Sequence, residues 1–203
     1  MNLLDIDLDY FNKFKSQERR MKCLRSIIGK LPRSLPCEIF TEHHEILSII
    51  GRWVQLDILK PRFIIYHVDQ HHDYYNAMFW TKENINCGNY GYFIPAKYYK
   101  KVVWVVDRID EEETYGSDWS AAKRILKEQK IQSMMTEKYL WSPSKIGGVC
   151  FAVSPDFVEF SLKHLQKMIQ TVADYFSVET IVRLANPEKL CSCCPSNWER
   201  VCR

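Results

Sequence analysis

The segment Pro61–Asp73, PRFIIYHVDQHHD, decides the fold prediction. Its first half contains the apolar run FIIY (Phe63–Tyr66), which is typical of a strand covered on both faces of a parallel sheet. Its last eight residues hold three histidines and two aspartates. Because ligands bind outside the carboxyl ends of the strands in open parallel sheets, the segment predicts both a buried strand and a site at its end.

Other apolar runs of strand length alternate with helical patterns along the chain. This alternation predicts an α/β fold, with three α/β/α layers around a mostly parallel sheet. The predicted strands are Leu3–Leu8, Cys37–Thr41, Phe63–Val68, Val102–Val106, Gly148–Val153 and Thr180–Ala185. The predicted helices include Glu45–Leu59, Trp119–Lys130 and Pro155–Phe176. With no repeat or linker in 203 residues, we predict one domain, 1–203.

Composition narrows the functional classes. A net charge of +3 and the lack of a basic run argue against a nucleic-acid partner. No apolar window approaches the ~18 residues of a membrane helix, and the start MNLLDIDLDYF carries no export signal, so we expect a cytoplasmic protein. Four of the eight cysteines lie in CSCC (Cys191–Cys194) and at Cys202, a spacing that does not match a zinc finger and favours free thiols.

Three further segments carry polar groups at predicted strand ends or in loops. The first strand ends in DIDLD (Asp5–Asp9), the second is followed by EHHE (Glu42–Glu45), and CGNYG (Cys87–Gly91) follows the third. Each alone is compatible with a turn, a satisfied core histidine or an acidic helix start. Carboxylates and imidazoles converging on one sheet edge would instead bury unpaired charge unless a cation lay between them.

Alternation along extended segments would point Asp69, His71 and Asp73 in one direction, and Asp7 and Asp9 likewise. With His43 they form six candidate ligands, more than one ion needs, so we predict a two-metal site. The oxygen-rich set favours two Mn²⁺ ions over zinc. Two such ions would deprotonate a shared water, which suggests hydrolysis of an unreactive centre.

These motifs jointly resemble the ureohydrolases, the superfamily of arginases, agmatinases and related deacetylases. DQHHD (Asp69–Asp73) resembles the family's DAHxD, DIDLD its SxDxD with Asp5 in the serine place, and GNYG its GNxHG. The closest resemblance is to small peptide arginases, which convert arginine side chains of ribosomally made precursor peptides to ornithine and urea. The order of motifs departs from ordinary arginases, so the resemblance implies an arginase-like fold with permuted strand order.

The resemblance implies roles for single residues. Asp69 and Asp7 would bridge the ions, with His43 and Asp73 on one and His71 and Asp9 on the other. A hydroxide bridging the two ions would attack the guanidinium carbon, and Asp73 would be the catalytic residue that moves the proton to the leaving amine. Substrate would be bound by an amide and a carboxylate, for which the predictions are Asn89 and Asp156, with Glu159, Glu42 and Glu45 as other carboxylate candidates. Supporting residues that orient the ligands would be His44 and His72, and His67 could be either a third such residue or a core histidine.

Two other functions stay open. The same scaffold could act as a metal-dependent deacetylase or amidohydrolase, or the chain could be a non-catalytic peptide-binding module. The expected partner is an arginine-containing precursor peptide, and the chain could also form a homo-oligomer.

Overall fold

The computed structural model describes residues 1–74, 85, 87–106, 127–128, 130–135, 142–155 and 157–178. Its strands are β1 (Asn2–Asp7), β2 (Cys37–Phe40), β3 (Phe63–Val68), β4 (Tyr99–Val106), β5 (Ile131–Met135) and β6 (Ile146–Ala152). Its α-helices are α1 (Gln17–Ile28), α2 (Ile46–Gln55) and α3 (Leu162–Phe176). Short 3-10 turns at Leu8–Lys13 and His43–Glu45 follow β1 and β2, and another at Tyr90–Phe93 precedes β4.

All six strands are parallel, in the order β2-β6-β1-β3-β4-β5. The central strand β1 pairs with β3 through Asp5 opposite His67, and with β6 through Asp5 opposite Cys150. Parallel pairing puts the carboxyl ends of all strands at one edge of the sheet. The three-layer α/β/α prediction is therefore confirmed, with a sheet that is wholly rather than mostly parallel.

Helices cover both faces of this sheet because successive strand residues point to opposite sides. Leu4 and Ile6 of β1 pack against α1 and α3 in one buried cluster. On the other face, Leu3 and the β4 residue Trp104 pack against Trp53 of α2 in a second cluster. Asp5 and Asp7 share this second face with Leu3, so β1 directs two carboxylates under the α2 layer.

Five predicted strands are present, with ends shifted by no more than three residues. The sixth, Thr180–Ala185, and most of the predicted helix Trp119–Lys130 lie outside the described residues, as do the C-terminal cysteines. The predicted helix Pro155–Phe176 is wrong at its start, because α3 begins at Leu162. The loop before α3 is not helical because Ser154 has a φ of 42° and the loop is bonded to Asn12. The Asn12 side chain donates to the carbonyl of Phe157 and accepts the amide of Glu159.

Two glycines offer a matched stability test. A Cβ at Gly148 in β6 would overlap the ring of Trp53, whereas a Cβ at Gly51 in α2 meets nothing within 4 Å. We expect Gly148→Ala to lower the free energy of unfolding by about 1–3 kcal/mol through overpacking. Gly51→Ala should raise it by up to about 1 kcal/mol, because alanine favours the helix. Urea denaturation of both variants measures this, and equal effects would contradict the packing described for Gly148.

Candidate metal centre

Three aspartates at the end of β1 face the carboxyl edge of the sheet. Asp5 and Asp7 belong to the strand, whereas Asp9 lies in the 3-10 turn that follows it. Asp7 is the N-cap of this turn: its Oδ1 accepts the amide of Asp9 at 2.9 Å, and its Oδ2 accepts the hydroxyl of Ser154 at 2.5 Å. All three side chains are buried, so the turn holds carboxylates away from water.

The segment after β3 reaches the same place through bends rather than through an extended strand. Asp69 Oδ1 accepts the amide of His71 at 2.7 Å, and His72 Nδ1 accepts the amide of Tyr74 at 3.0 Å. Asp73, between them, adopts a left-handed φ of 56°. The prediction that Asp69, His71 and Asp73 point in one direction because they alternate along an extended strand is therefore wrong. Side-chain to backbone bonds within the turn bring these residues together instead.

His43 arrives from the end of β2 on a 3-10 turn. Glu42 and Glu45 form a capping box around this turn, which fixes its start. His43 is 1% exposed. Its Nδ1 lies 3.0 Å from Asp7 Oδ2, 3.3 Å from Asp69 Oδ2 and 3.1 Å from Asp73 Oδ2, so it meets carboxylates from both other segments.

Asp5, completely buried, joins two histidines beneath this cluster. Its carboxylate lies 3.0 Å from His43 Nε2 and 2.8 Å from His67 Nδ1, and it accepts the hydroxyl of Tyr90 at 3.2 Å. A carboxylate in this position fixes the tautomer and the orientation of an imidazole. Asp5 therefore turns the remaining ring nitrogen of each histidine towards the other aspartates.

The ligand atoms fall into two groups that share one carboxylate. The inner group comprises His43, His67, Asp69 and Asp73, and the outer group comprises Asp9, Asp69 and His71. Within each group the ligand atoms lie within 4.8 Å of one another. Nitrogen and oxygen ligands lie about 2.0–2.2 Å from a zinc ion, so the atoms of either group could hold a metal ion if they close in around it.

A cleft of about 310 Å³, which includes space open to solvent, runs into this cluster. Its lining contains all six residues predicted as ligands, together with Cys87, Gly88, Ser154 and Phe157. The inner residues are buried, whereas the His71 side chain is 31% exposed and its ring meets that of Phe157 edge-on at 6.4 Å. The outer group is therefore the one nearer to solvent.

The charges of the cluster fit a bound cation. Five buried aspartates face three imidazoles, so the cluster stays negative even with every imidazole protonated. Among the described residues, no lysine or arginine pairs with these aspartates. Asp9 Oδ1 and Asp73 Oδ2 are buried without a hydrogen-bond partner. Orphaned carboxylate oxygens beside imidazoles are a donor set for divalent metal ions.

The ionisation of the cluster reflects the same crowding. Burial and repulsion from Asp69 raise the pKa of Asp73 to about 6, and burial with Asp7 and Asp69 raises the pKa of Asp9 well above its usual value. Burial disfavours the charged form of Asp5, yet His43 and His67 outweigh it and lower the pKa of Asp5 to about 2. In the same way, neighbouring carboxylates overcome burial and raise the pKa of His67 to about 9 and that of His43 well above its usual value.

The structure thus lines one cleft with the six predicted ligands, although Asp7 belongs to neither ligand group. It leaves His44, His72 and Asn89 out of the cleft lining. His72 is buried against Trp104, burial lowers its pKa to about 3, and its bond to Tyr74 supports the turn that carries Asp73. His44 instead pairs with Glu42 at 3.5 Å and does not reach the cluster. Asn89 is buried next to the lining residue Gly88 but does not itself line the cleft.

Asp156 lies outside the described residues, and none of the other predicted carboxylate partners lines the cleft. Glu42 and Glu45 form the capping box, and Glu159 is exposed. The sequence interpretation missed the position of Asp5 and the contacts of Tyr90 and Ser154. For Asp5 a signal was present, since it alternates with Asp7 and Asp9 in DIDLD. The tyrosine and serine carry no comparable sequence pattern.

Comparisons of the chain with protein-family models, with curated proteins and with solved structures find no match. Among the residues that the structure describes, no helix has both the length and the apolar character needed to cross a membrane.

Proposed function

We propose that the protein is a metal-dependent hydrolase that converts arginine side chains of a peptide to ornithine and releases urea. The observation that carries the proposal is the pair of ligand groups that share Asp69, all of whose residues except His67 line one cleft. One buried group would suit a structural ion, whereas two groups joined by a carboxylate are the arrangement of two-metal hydrolytic sites. Two divalent ions, for which we propose Mn²⁺, would supply hydroxide near neutral pH.

The chain's own residues would bind the ions and move the proton. Asp69 would be shared, and His43 and His71 would each face one side of it, as their contacts with Asp69 indicate. Asp7, 3.0 Å from His43 and bonded to the Asp9 amide, lies between the two groups. Asp73 is the proposed acid–base residue, because its Oδ2 is buried and has no hydrogen-bond partner.

The reaction balances with water as the only other reactant. Hydroxide oxygen forms the new bond to the guanidinium carbon, and the bond from that carbon to the side-chain nitrogen breaks. Asp73 would accept the hydroxide proton and deliver it to this nitrogen, which leaves as the ornithine amine while the carbon leaves as urea. The proton that water lost on forming hydroxide then converts the amine to its ammonium form. The negative cleft and the Phe157 ring at its wall support a flat cationic group as substrate.

The test incubates Mn²⁺-loaded protein with an arginine peptide, with free arginine and with an acetyl-lysine peptide, and measures urea and peptide mass. We expect release of urea and a peptide of the same length whose mass is lower by the lost amidino group. Asp73→Asn should lower the rate by at least about 10²-fold, the usual contribution of general acid–base catalysis. Deacetylation without urea would instead support the amidohydrolase alternative, and binding of peptide without any product would support the binding module.

A further inference from the structure

His67 lies beside the carboxylates, although its place within β3 is that of an ordinary core histidine. Its Nε2 is 3.4 Å from Asp69 Oδ2 and 3.5 Å from Asp73 Oδ2. The same two oxygens lie 3.3 and 3.1 Å from His43 Nδ1. Two imidazole nitrogens therefore face one pair of buried carboxylate oxygens, one of which, on Asp73, has no hydrogen-bond partner.

Asp5 explains how both histidines can present a lone pair to this space. A carboxylate accepts hydrogen bonds, so His67 donates from Nδ1 and His43 donates from Nε2 to the same Asp5 group. When the ring nitrogen that faces Asp5 carries the proton of the neutral imidazole, the other ring nitrogen is free to bind an ion. His67 Nε2 also lies 3.1 Å from the His71 carbonyl, and a metal bond would replace that contact.

We infer that His67 is a metal ligand, and that it completes an inner position with His43, Asp69 and Asp73. The inference rests on the metal binding of the proposed function and extends it, since it makes the two positions unequal. The inner position has two imidazoles and is buried, whereas the outer one has a single imidazole, on the partly exposed His71. Imidazole suits borderline ions such as zinc, and an oxygen-rich position suits manganese. When both metals are offered, the inner position therefore retains zinc while the outer position exchanges manganese.

Zinc titration of the whole chain, followed by equilibrium dialysis against Mn²⁺ and elemental analysis, tests this assignment. Wild type should retain one zinc and one manganese ion. His67→Gln should weaken binding of the first zinc by at least about 100-fold, since even changing a residue that only orients a ligand costs 10- to 100-fold. His71→Gln is the matched variant, which should keep the first zinc and lose the second ion. His44→Gln, whose side chain pairs with Glu42, should bind both ions as wild type does.

Nitrogen NMR of the imidazoles in the wild-type chain gives an answer that does not depend on how a variant folds. One equivalent of zinc should shift one ring nitrogen of His67 together with one of His43. A shift of His43 alone, unchanged zinc affinity in His67→Gln, or a wild type that binds no zinc would each overturn the inference. Ions bound as described with no urea released would count against the peptide arginase proposal and leave the role of His67 supported.

Discussion

Asp69→Asn should abolish the proposed hydrolysis and remove both of the proposed metal ions at once. Asp69 is the one residue present in both ligand groups, and its two oxygens already face different partners: Oδ2 faces His43, and Oδ1 accepts the His71 amide. An asparagine keeps the size of the side chain but has no charge and only one oxygen. Each ion is expected to contribute several kcal/mol to the transition state, so loss of about 4 kcal/mol alone lowers the rate about 10³-fold.

Metal content and urea release measured on the same preparation check this prediction. The control is Asp57→Asn, an exposed carboxylate with a positive φ of 58° that asparagine also tolerates. It should keep both ions and full activity. If Asp69→Asn instead bound two ions, or kept more than a tenth of the activity, the shared carboxylate would not have the role proposed here.

Metal-free protein should lose stability as the pH rises from 6.5 to 9, while the stabilisation by Mn²⁺ grows over the same range. His43 and His67 have pKa values raised in the folded chain, for His67 to about 9. Their contribution to stability is complete below pH 6.5 and is lost as the pH passes the folded values. The pKa values of Asp5 and His72, lowered to about 2 and 3, have no further effect in this window, and that of Asp73, about 6, lies below it. Ionisation of Asp9, whose pKa is also raised in the folded chain, lowers stability in the same direction as the histidines.

The expected loss is a few kcal/mol, because each unit of pKa shift corresponds to about 1.4 kcal/mol. Metal binding needs neutral imidazoles, so the same deprotonation that weakens the empty protein strengthens the loaded one. Each site at about 1,000 times its Kd adds about 4 kcal/mol. Thermal unfolding with EDTA and with Mn²⁺ at pH 6.5, 7.5 and 8.5 measures both trends. His67→Gln should flatten the metal-free slope, and a metal-free protein equally stable at all three pH values would contradict the charge state described.

Strands buried on both faces were the most predictable part of the fold. Phe63–Val68 has the predicted bounds because a continuous run of apolar residues favours a position inside the sheet, where helices cover both faces of the strand. The edge strand Ile131–Met135, IQSMM, was missed since it pairs only with β4 and has a mixed polar composition. Helix α1 was also missed, although Ser16 caps it and Met21, Leu24 and Ile28 have helical spacing. Its many charged residues obscured that stripe.

The candidate ligands were predictable as residue types at strand ends, but the backbone turns that bring them to the cluster were not. Asp73 reaches the cluster through a left-handed turn, and Asp9 through a 3-10 turn capped by Asp7. Such turns depend on side-chain bonds to the backbone, which no periodic pattern reveals. Asp5 and His67 are neighbours because of the register between β1 and β3, and a single sequence does not specify strand register across sixty residues.

That register has a consequence for protein engineering. Apart from His43, every ligand or orienting carboxylate of the cluster comes from two short segments, Asp5–Asp9 and His67–Asp73, at the ends of two adjacent parallel strands. We therefore expect the two segments to be transferable together to another protein. Grafted in the same register onto neighbouring strands of an unrelated parallel sheet, with one imidazole supplied from a third loop, they should create a two-ion centre on a scaffold that never had one.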